Sequence, residues 1–185
     1  TEPYPTFNFT RLENLFDALA LKGITRISGS IVGDESRYDA ERFALSLGLG
    51  IKGTDVGPLG ALMINDGVVS GNPIKPDNPA LGAATEFTNT LQNNGIAVSG
   101  FPKIGSAPQD LPVIAKIDSL PLSDIVAEML TNSDNNTAEL LVKEIGFAVS
   151  GVGSREAGLE VMKAKLVEWG IPLDVLQFFD GSGLD

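Results

Sequence analysis

The chain has 185 residues, 43% hydrophobic and 20% charged, a make-up that suits a globular chain with a buried core and excludes a disordered or fibrous one. Its net charge of −11 would repel a polyanion, so no nucleic acid is expected as a partner. With no cysteine there is no disulfide framework or thiolate chemistry, and with no histidine neither a Ser-His-Asp triad nor a histidine-based zinc site can be built. Any nucleophilic chemistry would need lysine or a carboxylate as its base. No apolar run reaches the ~18–20 residues of a membrane span, so no transmembrane segment is expected, and no basic-then-apolar start suggests a signal peptide. The abrupt opening "TEPYPTF" and the closing "FFDGSGLD" read as a piece of a longer or processed polypeptide.

In chain order, Leu12, Leu15, Phe16 and Leu19 recur at helical spacing, predicting a helix over 9–22 that stops at Gly23. "ITRISGSIVGD" is β-branched and alternating, which predicts a strand. "LQNNGIAVSGFPKIG", residues 91–105, repeats the order of "LALKGITRISGS": helix end, Gly-Ile, strand, Ser-Gly. That similarity is either an internal repeat or the common helix-to-strand connection. Between them, "GPLGALMINDGVVSGN" predicts two strands turning at Asn65-Asp66-Gly67. Residues 73–79 form a proline-rich loop, 80–93 a helix, 105–112 a linker, and "VIAKID" a short strand. Helices follow over 122–130, 137–145 and 154–169, the last stopped by Gly170 and Pro172. Helices and strands mix without a regular βαβ rhythm, which predicts an α+β fold.

"GLGIKG", residues 48–53, matches the dinucleotide-loop pattern, but Gly57 and Pro58 block the helix such a loop must open, so it reads as a surface loop. "NSDNN", residues 132–136, sits between two apolar helical segments. Asn135 or Asn136 can cap the second helix, with Glu139 completing a capping box behind Asn136. Capping does not specify Ser133. The turn would project the Ser133 hydroxyl and the Asn135 amide from one corner, a proton-relaying group beside a donor/acceptor.

Ser133-Asp134-Asn135 matches the Ser-x-Asn motif of penicillin-binding proteins and serine β-lactamases. Its surroundings, "SLPLSDIVAEMLTNSDNNTAELLVKEIG", then Trp169-Gly170-Ile171, then "DGSGL", resemble in order the penicillin-binding protein 4-like D-alanyl-D-alanine carboxypeptidase/endopeptidases. "GSIVGDESRYD" and "GALMINDGVV" are similar to segments of the module that this family inserts between its first and second catalytic motifs. The resemblance implies residues 1–112 as that inserted α/β module. It implies residues 113–185 as part of a β-lactamase/transpeptidase-like catalytic domain. No serine here has lysine three positions on, and Lys-Thr-Gly is absent; "KGT" at 52–54 is scrambled and misplaced. By family order those motifs would lie outside both ends, so the chain is expected to be a central fragment, inactive alone.

The resemblance further implies Ser133 as the catalytic proton relay and Asn135 as a catalytic, substrate-binding amide, with Asp134 pointing away or bracing the turn. Ser182 carries a weaker implied substrate role; its alternative is a tight turn built on the neighbouring glycines. Peptidoglycan peptides and β-lactams are the implied partners of the parent enzyme, without metal or organic cofactor, outside the cytoplasmic membrane. A non-catalytic cell-wall binding module of the same fold is the alternative reading.

Overall fold

Helix α1 (Glu13–Leu21) buries Leu19 and ends where Gly23 takes a left-handed φ of 74°. In this computed structural model, which describes residues 9–184 apart from 49, 51, 54, 55, 73 and 109, the chain divides into two units. The first contains the residues up to Glu35 together with Leu62–Leu122; the second contains Ser36–Ala61 together with the chain from Ser123 onward. Both units are therefore discontinuous in sequence. This grouping sets residues 36–61 with the C-terminal helices, whereas the division implied by the resemblance cuts once, between 112 and 113.

In the first unit the predicted long strand is two short ones, β1 (Arg26–Ile27) and β2 (Val32–Gly33). They pair in parallel with β3 (Ala97–Val98) and β4 (Lys103–Ile104), Arg26 opposite Ala97 and Val32 opposite Lys103. The two similar sequence segments are thus neighbours in space. Helix α2 (Pro79–Asn93) packs on both pairs, with Asn78 accepting from the Leu81 N–H at 2.8 Å as N-cap and proline in the first turn. Gly33 allows β2 to approach α2 closely, since a Cβ there would lie 2.2 Å from the Ala80 carbonyl oxygen. Leu19, Leu91 and Ile96 form the core, with Phe16, Ile27 and Phe87 against it.

Two expected strand features in this unit are absent. Asn65–Gly67 form a 3-10 turn with φ values of 47°, 57° and 73°, and the Asn65 side chain bonds the Thr10 backbone at both N–H and carbonyl. The turn chemistry is there, but only an isolated Val69–Asn72 bridge follows instead of a hairpin. Residues 113–118 are coil; with no ladder partner among the described residues, "VIAKID" has nothing to satisfy strand hydrogen bonds.

The second unit is helical: α3 (Leu122–Asn132), α4 (Asn135–Ser150) and α5 (Arg155–Glu168). Helix α4 ends at Gly151 in the left-handed region, and α5 is capped by Ser154. The α4 and α5 backbones meet across glycines. A Cβ on Gly158 would lie 2.0 Å from the Val142 oxygen, and one on Gly146 would lie 2.8 Å from the Gly158 nitrogen. Ala44, Leu47, Val56 and Leu59 supply an apolar cluster, joined by Leu140 and Leu184. Of "GLGIKG", Leu49 and Ile51 lie outside the described residues; the Gly53 N–H meets the Val56 carbonyl, and among the described residues no helix opens there.

Candidate active site

The corner between α3 and α4 starts from an ordinary need: a helix end leaves carbonyls unpaired and the next helix start leaves N–H groups unpaired. The first need is met by the Asp134 N–H, which donates to the Met129 carbonyl at 3.1 Å. That wrap-around bond requires a left-handed residue just after the helix, normally glycine. Here the position is Ser133, with φ 57°. A side chain in that conformation costs about 1–2 kcal/mol, so a hydroxyl is retained where glycine would be easier. Ser133 is exposed.

The second need is met by Asp134. Its Oδ1 accepts from the Thr137 N–H at 3.1 Å and its Oδ2 from the Thr137 hydroxyl at 2.7 Å. The helix therefore starts earlier than expected, and the expected Asn136–Glu139 capping box is replaced by an aspartate cap that braces the turn. Asn135, half-buried, is the first residue of α4, two positions from Ser133 on the same corner. Asn136 instead uses its Oδ1 to accept from the Gly57 N–H at 2.8 Å.

Glu139, freed from capping, is 1% exposed. Its Oε1 accepts from the Gly181 and Ser182 N–H groups, at 2.9 and 2.8 Å. Burial pushes its pKa up, against the lowering effect of the Ser182 hydrogen bonds. These bonds seat the Asp180–Gly183 turn on α4, where Gly181 has no room for a side chain: its Cβ would sit 2.6 Å from Val142 Cγ2 and 2.9 Å from the Ala138 oxygen. Asp180 closes the turn, accepting from the Gly183 N–H at 2.7 Å, the Ser182 hydroxyl at 3.3 Å and the Ser46 hydroxyl at 2.6 Å. Residues 135 and 139 are one helical turn apart on one face of α4, so the turn bearing Ser182 lies along the face that carries Asn135.

Charged pairs hold residues 37–41 to the same helices. Lys143, 1% exposed, bonds the Asp39 carboxylate and the Glu41 carbonyl. Arg155 grips the Glu41 carboxylate through Nε and Nη2 and donates to the Phe179 carbonyl at 2.8 Å. Arg37 binds Glu144 in the same two-pronged way, and Tyr38 donates to that carboxylate at 2.7 Å. Among the described residues no group of His, Cys, Asp and Glu could hold a metal, and no helix is long and apolar enough to cross a membrane.

The family model for D-Ala-D-Ala carboxypeptidase 3 (S13) matches residues 71–185, which include the whole corner and the glycine turn. The chain belongs to that family. A D-alanyl-D-alanine carboxypeptidase of Actinomadura sp. is 38% identical over 111 residues, covering 58% of this chain and 21% of the relative. Carboxypeptidase DacB of Mycolicibacterium smegmatis is 26% identical over 178 residues, 94% of this chain and 38% of the relative. D-alanyl-D-alanine carboxypeptidase DacB of Haemophilus influenzae is 31% identical over 103 residues, 55% and 22% respectively. The chain thus spans well under half the length of these curated relatives. The structure sets the expected Ser133 and Asn135 on the α3–α4 corner and Ser182 in the glycine turn. It shows Asp134 bracing the corner, one of its two expected placements, and adds the Glu139 anchor, which the sequence does not point to. Asp134, with Thr137 three positions on, carries a readable capping signal; Glu139 carries none, because its partners lie 42 and 43 residues away.

Proposed function

We propose that this chain is the central part of a serine-type D-Ala-D-Ala carboxypeptidase/endopeptidase that acts on peptidoglycan peptides outside the cytoplasmic membrane and is acylated by β-lactams. The observation that carries the reading is Ser133: a hydroxyl held in a left-handed corner that glycine would occupy at less cost, two residues from Asn135. Membership of the carboxypeptidase family supports the substrate class. The fold proposed with it is part of a β-lactamase/transpeptidase-like domain plus an inserted α/β module.

In the reaction, a serine outside this chain attacks the carbonyl carbon of the bond between terminal D-alanines. The C–N bond breaks, the terminal D-alanine leaves as an amine, and water hydrolyses the resulting ester to regenerate the serine. Ser133 relays the proton that the leaving nitrogen must gain. Asn135 hydrogen-bonds the substrate's amide carbonyl, and Ser182 offers a further contact. The nucleophile and its lysine belong to Ser-x-x-Lys, which these 185 residues lack along with Lys-Thr-Gly, so the isolated chain is inactive.

The test is acylation of the full-length protein by a fluorescent penicillin. Labelling is expected in the full-length protein and not in the isolated chain. Ser133→Ala is expected to slow D-Ala-D-Ala hydrolysis by about 10²-fold or more with the melting temperature kept within a few degrees. An unlabelled full-length protein would sink the reading, and an unchanged rate in Ser133→Ala would reduce the motif to a helix junction.

A further inference from the structure

We propose that Glu139 is a positioning residue: its buried carboxylate sets where the Asp180–Gly183 turn stands along the face of α4 that carries Asn135. This rests on the peptidase reading above and goes beyond it by assigning a role to a residue outside the Ser-x-Asn motif. Three features of the second unit converge on it.

First, a carboxylate 1% exposed is costly to bury and is kept only where hydrogen bonds replace water. Two successive backbone N–H groups of one turn donate to a single oxygen, Oε1, and the Ser182 side chain of the same turn adds to them. A stabilising role alone could be met by an apolar side chain of similar size. An acceptor aimed at two successive N–H groups specifies instead where those two residues stand. Second, the turn lies hard against the helix: Gly181 approaches the Ala138 carbonyl and Val142 so closely that no side chain fits between them. Third, the other end of the turn is fixed by Asp180, whose carboxylate takes the Gly183 N–H and the Ser46 and Ser182 hydroxyls. With both ends braced, the Ser182 backbone has one place, set by a residue one helical turn from Asn135. The Glu139 side chain touches no reacting atom in this scheme; it acts through the turn.

The experiment compares Glu139→Ala, Glu139→Gln and Glu139→Asp in the full-length protein. It reads amide hydrogen exchange of the peptide spanning 178–184, the second-order rate of acylation by fluorescent penicillin, and the melting temperature. Removing the acceptor in Glu139→Ala is expected to speed exchange at Gly181 and Ser182 by about tenfold or more. Acylation is expected to fall about 10- to 100-fold, because a displacement of about 1 Å suffices for that. Glutamine keeps an Oε1 acceptor, so Glu139→Gln should retain acylation to within about threefold, a rescue that bulk stability alone would not give. If Glu139→Ala does not fold, Glu139→Asp decides: one methylene shorter with the same charge, it should shift the turn and slow acylation while leaving the melting temperature within a few degrees.

Unchanged exchange in the alanine or aspartate variant would show that Glu139 does not hold the turn and would overturn the proposal. Fast exchange with undiminished acylation would overturn it too, by showing that the position of the turn does not matter to the reaction. A wild-type protein that takes up no penicillin removes the catalytic reading and the positioning role with it. The exchange measurement then still reports, separately, whether the carboxylate anchors the turn.

Discussion

The two units solve the problem of holding a discontinuous chain together in opposite ways. The first relies on apolar contact: Leu19, Leu91 and Ile96 close its core, and α2 lies against two short parallel strand pairs. The second has an apolar cluster too, but it also buries Glu139, Lys143 and Arg155, the only charged side chains that are buried among the described residues. Apolar packing is tolerant of sliding, whereas a buried charge with a fixed partner is not. The unit that carries those charges is the one that contains Ser133 and Asn135.

The sharpest way to break this contrast is a pair of truncations. Leu91→Ala in the first unit should cost about 2–5 kcal/mol by cavity formation. Arg155→Ala in the second should cost about 3–5 kcal/mol, because Glu41 is left without its two-pronged partner. Urea denaturation measures both. The contrast survives only if replacing Glu41 and Arg155 together by apolar residues recovers most of the second loss, because that loss comes from a partner left charged and unpaired, whereas the Leu91 loss comes from an empty space. Close backbone approach, by comparison, should not separate the units. Gly33→Ala and Gly158→Ala each force a Cβ to about 2 Å from a carbonyl oxygen and should cost about 1–3 kcal/mol or more alike; a silent Gly158→Ala would mean that α4 and α5 separate easily.

Next in size is Ser133→Gly. Relieving the left-handed serine should raise stability by about 1 kcal/mol while removing the hydroxyl, so thermal melting and hydrolysis should move in opposite directions. A loss in both would mean that the corner stores no strain for function.

The smallest effect concerns acid. Glu144 titrates below its ordinary 4.5, chiefly through its bonds to Arg37, so its stabilisation is present above pH 4.5 and is lost as pH falls through its folded value. With the side chain 36% exposed, the amount is under about 1 kcal/mol. Glu139 runs the other way: its pKa is raised by burial, so its contribution is fullest below 4.5 and declines as pH rises through the folded value. Melting curves of Glu144→Gln should fall below wild type at pH 7 and converge with it in acid, once pH has fallen through the folded value. Glu139→Gln should lose the decline on the other side. The same substitutions would leave the first unit's core untouched.

What could be read from sequence follows from range. Helix α1 was legible because Leu12, Leu15, Phe16 and Leu19 lie within a few residues of one another and Gly23 stops them. The helix after residue 79 and the one ending before Gly170 were legible for the same reason. Strand lengths were not, because β1 to β4 are defined by partners about seventy residues away. The turn at Asn65 was recognised by its residue types, but its side chain is spent on Thr10, not on a hairpin. At the candidate site, Ser133 and Asn135 are visible as a motif because only Asp134 separates them. Glu139 was misread as local capping chemistry because its true partners come near the other end of the helical region. Lys143 and Arg155 carry no local signal of burial, since their partners Asp39 and Glu41 lie more than a hundred residues away.

The interleaving of the two units also bears on how the protein is made. Glu41 meets Arg155 across 114 residues, and Ser46 meets Asp180 across 134. At about 5–20 residues per second, a ribosome needs several seconds or more to supply those partners after residues 36–61 have emerged. During that interval Phe43, Ala44 and Leu47 wait without α4, while the first unit, completed earlier by residues 62–122, already has its own core. The segment at 36–61 is therefore where a holding chaperone would be most needed during synthesis, and where slowed translation would first show as aggregation.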